Sequence, residues 1–267
     1  MNGIDIKTIV SKDNALVKRI ARLNGDSKFR ASQREAVVYG EHLIIEAMKY
    51  SLIEYLLLEE SSLARYSHLV EKLSNEQIIL VSAEVLNKIN IFDSELSVVA
   101  LIKQPVSREL DFSQQFDCVV LEHIQDPGNL GVILRAASAG GIKNIALSKN
   151  CVDVYNPKVL RASQGIQFAL NIYSNCDLDE FVRCYSGQIY ALTPHASVSI
   201  YEQDLTQDCA LILGNEGNGI SDKLLSKIKQ HITIPMPGKA ESLNLAMAAT
   251  VAIFELSRQR ITNIRKK

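Results

Sequence analysis

"CALILGNEGNGIS", Cys209 to Ser221, joins a strand-like apolar run to three closely spaced glycines, and "DKLLSKIKQ" after it has helical spacing. A strand, a glycine-rich turn and a helix in that order often hold a nucleotide, because backbone N–H groups at a helix start attract anions. The glycine order here is G-x-x-G-x-G rather than G-x-G-x-x-G, and no G-x-x-x-x-G-K-S/T occurs in the chain. A tight turn alone would also explain the glycines. The meaning of the loop therefore depends on what surrounds it.

Upstream and downstream, apolar runs of strand length alternate with helical patterns. "FDCVVLEHI", "IKNIALS", "QIYALTPH", "CALILGNEG" and "HITIPMPG" read as strands. "QDPGNLGVILRAASAGG", "YNPKVLRAS" and "SLNLAMAATVAIFELSRQR" read as helices. Such alternation predicts an α/β fold with a parallel sheet covered on both faces. Residues 1–105 form an earlier α/β series: a helix in "SKDNALVKRIARL", strand–turn–helix in "AVVYGEHLIIEAMKYS", then "IEYLLLEE", "IILVSAEVLNKI" and "LSVVALIKQP". The polar stretch after Pro105 predicts a linker at 106–116, and 117–267 is the second domain.

Net charge is −1, but it is unevenly spread. Residues 1–34 carry eight Lys/Arg (Lys7, Lys12, Lys18, Arg19, Arg22, Lys28, Arg30, Arg34) against three Asp, and "RQRITNIRKK" at 258–267 carries five Lys/Arg and no acid. Basic ends on an acidic body suit a polyanion such as RNA, or simply solvated termini. The most apolar stretch, "LNLAMAATVAIFEL", is too short and too polar to span a bilayer. The first residues lack the pattern of a secretory signal. Five scattered cysteines without a C-x-x-C predict free thiols in a cytoplasmic setting and no structural zinc. The five histidines form no ligand pattern; His123 and His195 follow strands and are expected near a site, in structural roles.

In a parallel sheet ligands sit beyond the carboxyl ends of the strands. Three loops fall there: "DPGNLGVILR" (126–135), "GNEGNGIS" (214–221) and "IPMPGKAESLN" (234–244). Together and in this order they resemble motifs 1, 2 and 3 of the SpoU (TrmH-type) RNA ribose 2′-O-methyltransferases of the SPOUT superfamily. Residues 117–260 carry the resemblance, and 7–105 resemble the amino-terminal substrate-binding module of many members. Two departures stand out. "RAASAGG" has Ala136 and Gly140 where the family often has a hydroxyl and an aromatic ring, and "VVYG" has Tyr39 where the module often has an acid.

The resemblance implies a SPOUT methyltransferase domain with a carboxy-terminal trefoil knot, a homodimer formed through that domain, S-adenosylmethionine as cofactor, and RNA as substrate. It implies cofactor contacts at Thr193, Gly214, Ile234, Met236, Leu243 and Leu245. It places Arg135 at the 2′-hydroxyl, near the start of the motif 1 helix, with Asn129, Glu216, Ser242 and Asn244 around it. An arginine is a poor base because its pKa lies above about 12. Orienting the hydroxyl and stabilising the oxyanion is the role its chemistry suits. Asn129 and Ser242 also have the residue type of helix N-caps, and Glu216 that of an acceptor for backbone N–H groups and arginine. Ribosomal RNA is the leading substrate. The alternatives are transfer RNA, an idle RNA-binding or assembly factor of the same fold, and a dinucleotide-dependent enzyme, which the glycine order disfavours.

Overall fold

The computed structural model describes residues 6–93, 96–106, 111 and 114–264. Most of the predicted linker (107–110 and 112–113) and the last three residues of the basic tail lie outside them. The chain forms two compact units, one of residues 1–106 with 153–168, the other of 107–152 with 169–267.

The first unit contains β1 (Lys7–Ile9), α1 (Ala15–Gly25), α2 (Ser27–Gln33), β2 (Glu35–Tyr39), α3 (Glu41–Met48), β3 (Ile53–Leu58), α4 (Ser67–Val70), β4 (Ile78–Val81), α5 (Ala83–Ile89) and β5 (Val98–Lys103). Its sheet runs β1-β4-β3-β5-β2, with β5 antiparallel to both neighbours and the other pairs parallel. Side chains alternate across a strand, and both sets are apolar here. Ala36, Val38, Leu56, Leu58, Ala100 and Ile102 pack beneath α3, while Val37, Leu57, Val99 and Leu101 pack against α1 and α5. In α1 the buried stripe is Val17, Ile20 and Leu23; Leu16, which shares the helical spacing of Ile20 and Leu23, is only half-buried. Tyr39 is an anchor of this core. Its hydroxyl donates to Asn24 Oδ1 (2.6 Å) and lies 2.9 Å from Ile89 O, and its ring meets Phe92 edge-on.

The second unit begins with β6 (Cys118–Leu121), α6 (Pro127–Ala139) and β7 (Asn144–Ser148). The helix that follows, α7 (Pro157–Ser163), packs with the first unit, where Leu160 and Phe168 complete the core under α3. Arg30 secures it. The guanidinium is 2% exposed, meets Asp153 at 2.5 Å, and donates to the carbonyls of Leu23 and Asn24. The sequence reading gave α7 to residues 117–267; its buried face belongs instead with residues 1–106.

The second unit continues with β8 (Asn171–Cys176), α8 (Leu178–Cys184), β9 (Gln188–Leu192), β10 (Cys209–Leu213), α9 (Asp222–Leu225), β11 (Gln230–Ile232) and α10 (Leu245–Ile264). All its pairs are parallel, in the order β11-β9-β10-β6-β7-β8. Cys118, Val120, Ala146, Ala210 and Ile212 face α8 and α9, and the intervening residues of β6, β7 and β10 are buried on the opposite side. The long helical stretch expected after Ser221 is only the single turn of α9. Where α10 packs on α6, a Cβ at Gly140 would press into Ile253, and Ser257 Oγ donates to Gly140 O (2.7 Å). That close approach favours glycine at 140. No described helix is long and apolar enough to cross a membrane.

Candidate functional site

Strand pairing brings the three loops together. β6 and β10 pair in register up to Leu121↔Leu213, so their loops leave the sheet side by side. β9 pairs with β10 and β11, which puts Thr193, Gly214 and Ile234 just beyond three adjacent strands. They border a cleft of about 630 Å³, within the roughly 300–1,000 Å³ usual for small-molecule sites. All six residues expected to meet the cofactor line it: Thr193, Gly214, Ile234, Met236, Leu243 and Leu245. Glu216, Ser242 and His195 line it too.

The motif 2 loop is closed on itself and clipped to its neighbour. Asn215 and Gly219 exchange two backbone hydrogen bonds (2.8 and 2.9 Å), with Gly219 at φ +68°. A Cβ at Gly214 would overlap the backbone of Gly219 and Ile220. Glycine at 214 is thus required by the loop's own fold, before any ligand is considered. Asn215 Nδ2 donates to the carbonyl of His123 (2.8 Å), a residue held at φ +54°. Non-glycine residues seldom adopt that conformation, and it often marks a functional site.

Glu216 binds the motif 1 loop. Its carboxylate accepts from Asp126 N (3.0 Å), Gln125 N (3.3 Å) and Asn129 Nδ2 (3.3 Å). Partial burial works to raise its pKa. The hydrogen bonds from Asp126, its own backbone, Gln125 and Asn129 outweigh that and hold the carboxyl below its ordinary value. No arginine among the described residues reaches it. Asn244 Nδ2 in turn donates to Asn129 Oδ1 (3.1 Å), so one chain of polar contacts, Asn244–Asn129–Glu216, links motifs 3, 1 and 2.

Two capping expectations change. Asp126, not Asn129, is the N-cap of α6, accepting from Asn129 N at 2.6 Å. Asn244, not Ser242, caps α10 by accepting from Ala246 N (2.9 Å). In each case the cap lies directly before the first helical turn, where backbone donors lack partners. Arg135 sits in the third turn of α6 rather than near its start. It is exposed, does not line the cleft, and has no hydrogen bond or ion pair to another described residue.

The cleft suits a largely neutral ligand with an apolar body. Its walls include Leu192, Leu213, Ile234, Met236, Leu243 and Leu245, with Glu216, Asp222 and Glu241 as nearby carboxylates for a positive centre. Among the described residues no group of His, Cys, Asp and Glu could hold a metal ion.

Residues 118–254 match the SpoU rRNA Methylase family, and the chain belongs to that family. It is 32% identical to an uncharacterized tRNA/rRNA methyltransferase from Synechocystis sp., over 96% of this chain and 95% of that one. It is 28% identical to the 23S rRNA (guanosine(2553)-2′-O)-methyltransferase RlmP of Bacillus subtilis, over 94% and 99%. The crystal structure of the SpoU methyltransferase AviRb from Streptomyces viridochromogenes with AdoMet superposes with a TM-score of 0.83 at 27% identity, covering 93% of this chain and 99% of that one.

Proposed function

We propose that this protein methylates a ribose 2′-hydroxyl of ribosomal RNA, with S-adenosylmethionine held in the cleft formed by the three motif loops. One observation carries the reading: all six expected cofactor contacts border one cleft beyond β9, β10 and β11, beside the Asn244–Asn129–Glu216 chain. Bound there, the sulfonium supplies an activated methyl group. The residues supply alignment, which contributes much of the acceleration in an in-line transfer. Apolar walls and loop backbone take the adenosine and thioether. Arg135, whose side chain has no partner among the described residues, orients the acceptor hydroxyl and stabilises the oxyanion through its planar fork.

The same reading covers the assembly. Val132 on α6 and Met247 and Phe254 on α10 are 44%, 58% and 47% exposed on two helices that pack together, an apolar surface that suits a homodimer. Light scattering giving only a 29.6 kDa species at micromolar concentration would overturn that part. The position of β10 between β9 and β6, with α10 against α6 and β10, supports the trefoil knot. Pulling the chain by its two ends should then yield less than its full contour length. The first unit is the RNA-holding module. Five free cysteines suit a cytoplasmic enzyme.

Calorimetry with S-adenosylmethionine, NAD and ATP tests the cofactor: binding of the first alone is expected, and binding of NAD or ATP instead would reject the reading. Mapping ribose methylation across total RNA with and without the protein identifies the substrate. A site that disappears from transfer RNA, with ribosomal RNA unchanged, would overturn the ribosomal assignment.

A further inference from the structure

Glu122 is a buried carboxylate that no step above uses. It follows β6 directly, is 8% exposed, and does not line the cleft. Its two oxygens are both spent on one residue: Oε2 accepts from Ser221 N and Oε1 from Ser221 Oγ, each at 2.7 Å. Its backbone N–H donates to Leu213 O (2.9 Å), extending the β6–β10 pairing by one bond. The next residue, His123, accepts from Asn215. Glu122 and His123 thus grip the two ends of the motif 2 loop, at Ser221 and Asn215. Between those grips lie Glu216, Gly217, Asn218, Gly219 and Ile220, all on the cleft wall.

We infer that Glu122 is a positioning residue for the cofactor: through Ser221 it fixes the far end of the motif 2 loop, and so sets the shape of the wall against which the ligand rests. Burying a carboxylate is costly unless its oxygens are satisfied. Here the satisfying donors are the backbone and hydroxyl of a loop residue, so the clamp and the loop conformation stand or fall together. Charge-assisted hydrogen bonds to both groups of one residue hold it more firmly than a neutral pair would. A residue of this kind acts on binding without touching ligand. The inference rests on the cleft being the S-adenosylmethionine site.

The test is calorimetric titration of full-length Glu122→Ala, Glu122→Gln and Ser221→Ala with S-adenosylmethionine, alongside KM for the cofactor and for RNA. Glu122→Ala should weaken cofactor binding about tenfold, raise its KM in step, and leave KM for RNA within about twofold. Glu122→Gln should recover most of the loss, because its amide can accept from Ser221 N and donate to Ser221 Oγ. Adding Ser221→Ala to Glu122→Ala should cost only the loss of the Ser221 Oγ cap on Leu224 N (3.3 Å), since the Oγ–Glu122 bond is already gone. A Glu122→Ala protein that binds the cofactor like wild type overturns the inference. So does a fall in kcat with both KM values unchanged, which would mark a merely structural residue. If Glu122→Ala does not fold, Glu122→Asp decides, because its shorter side chain draws the carboxylate back from both Ser221 N and Oγ: unchanged affinity there rejects the clamp. Wild-type protein that fails to bind S-adenosylmethionine rejects the cofactor site itself, and the inference with it.

Discussion

At the carboxyl ends of β6 and β10, Glu122, Asn129, Asn215, Glu216 and Ser221 all have partners within the loops. Farther along α6, the Arg135 guanidinium has none among the described residues. The first region has its conformation fixed before anything binds. The second leaves a strong donor uncommitted on an exposed helix face. Under the proposed function the contrast separates holding from acting: the loop groups shape the site, and Arg135 is the donor left for substrate.

Replacing Arg135 should give the largest effect. Arg135→Lys keeps the charge and loses the fork, and methyl transfer should fall about 100- to 1,000-fold while cofactor affinity stays as in wild type. Near-normal turnover would erase the contrast by showing that Arg135 is an ordinary surface residue. Gly214→Ala strikes the held region. Its Cβ would overlap the Gly219–Ile220 backbone, so the loop must open, at about 1–3 kcal/mol of stability, with cofactor binding largely lost. A thermal melt and a titration on the same sample check this. A stable variant with weak binding would mean that the glycine serves the ligand and not the loop.

Glu216→Gln should have a smaller effect, about threefold weaker cofactor binding at neutral pH. The Glu216 carboxyl lies below its ordinary value, so what its hydrogen bonds contribute is complete above that value. It is lost as pH falls through the lowered one. Wild-type affinity should therefore hold from neutral pH down through the ordinary carboxylate range and drop only below it, and the glutamine variant should lack that acid limb. The same fall in both proteins would place the titrating group elsewhere.

The smallest effect is expected in the first unit, on RNA. Of its eight early basic residues, Arg30 is buried against Asp153 and Arg19 is bound to Glu35. Lys12, Lys18 and Arg22 have exposed acidic partners, at Glu84, Asp13 and Asp26. Lys7, Lys28 and Arg34 are exposed, with no ion pair among the described residues. The double variant Lys28→Ala, Arg34→Ala should reduce the slope of log affinity against log salt by roughly 1.5, with cofactor binding unchanged. An unaltered slope would move RNA binding away from this face. Cutting the chain at residue 106 is a poor substitute, because it would strip Leu160 and Phe168 of the core they complete.

Much was legible in the sequence because the signals were local. Strand and helix periods located β2, α3, β6, α6, β10 and α10, and the family resemblance supplied the six residues expected at the cofactor. Elements with weak or polar patterns escaped. β8, "NIYSNC", is an edge strand with no buried residue to give it an apolar period, and α8 and the short β1 and α2 also went unread. Both caps were assigned to neighbouring residues of the right type, since several polar residues precede each helix and only backbone geometry selects among them.

The sequence by itself determined the α/β class, the parallel sheet and the three loops, because these follow from periodicity and turn residues, and the methyl-donor reading came from the family resemblance those loops carry. Only the tertiary structure decided which contacts those residues make. That α7 joins the first unit, that Glu122 grips Ser221 and that Lys12, Arg19 and Arg30 are paired all depend on groups far apart in the chain. Hydrogen bonds and close approaches of that kind are fixed by strand order and register, which no local pattern encodes.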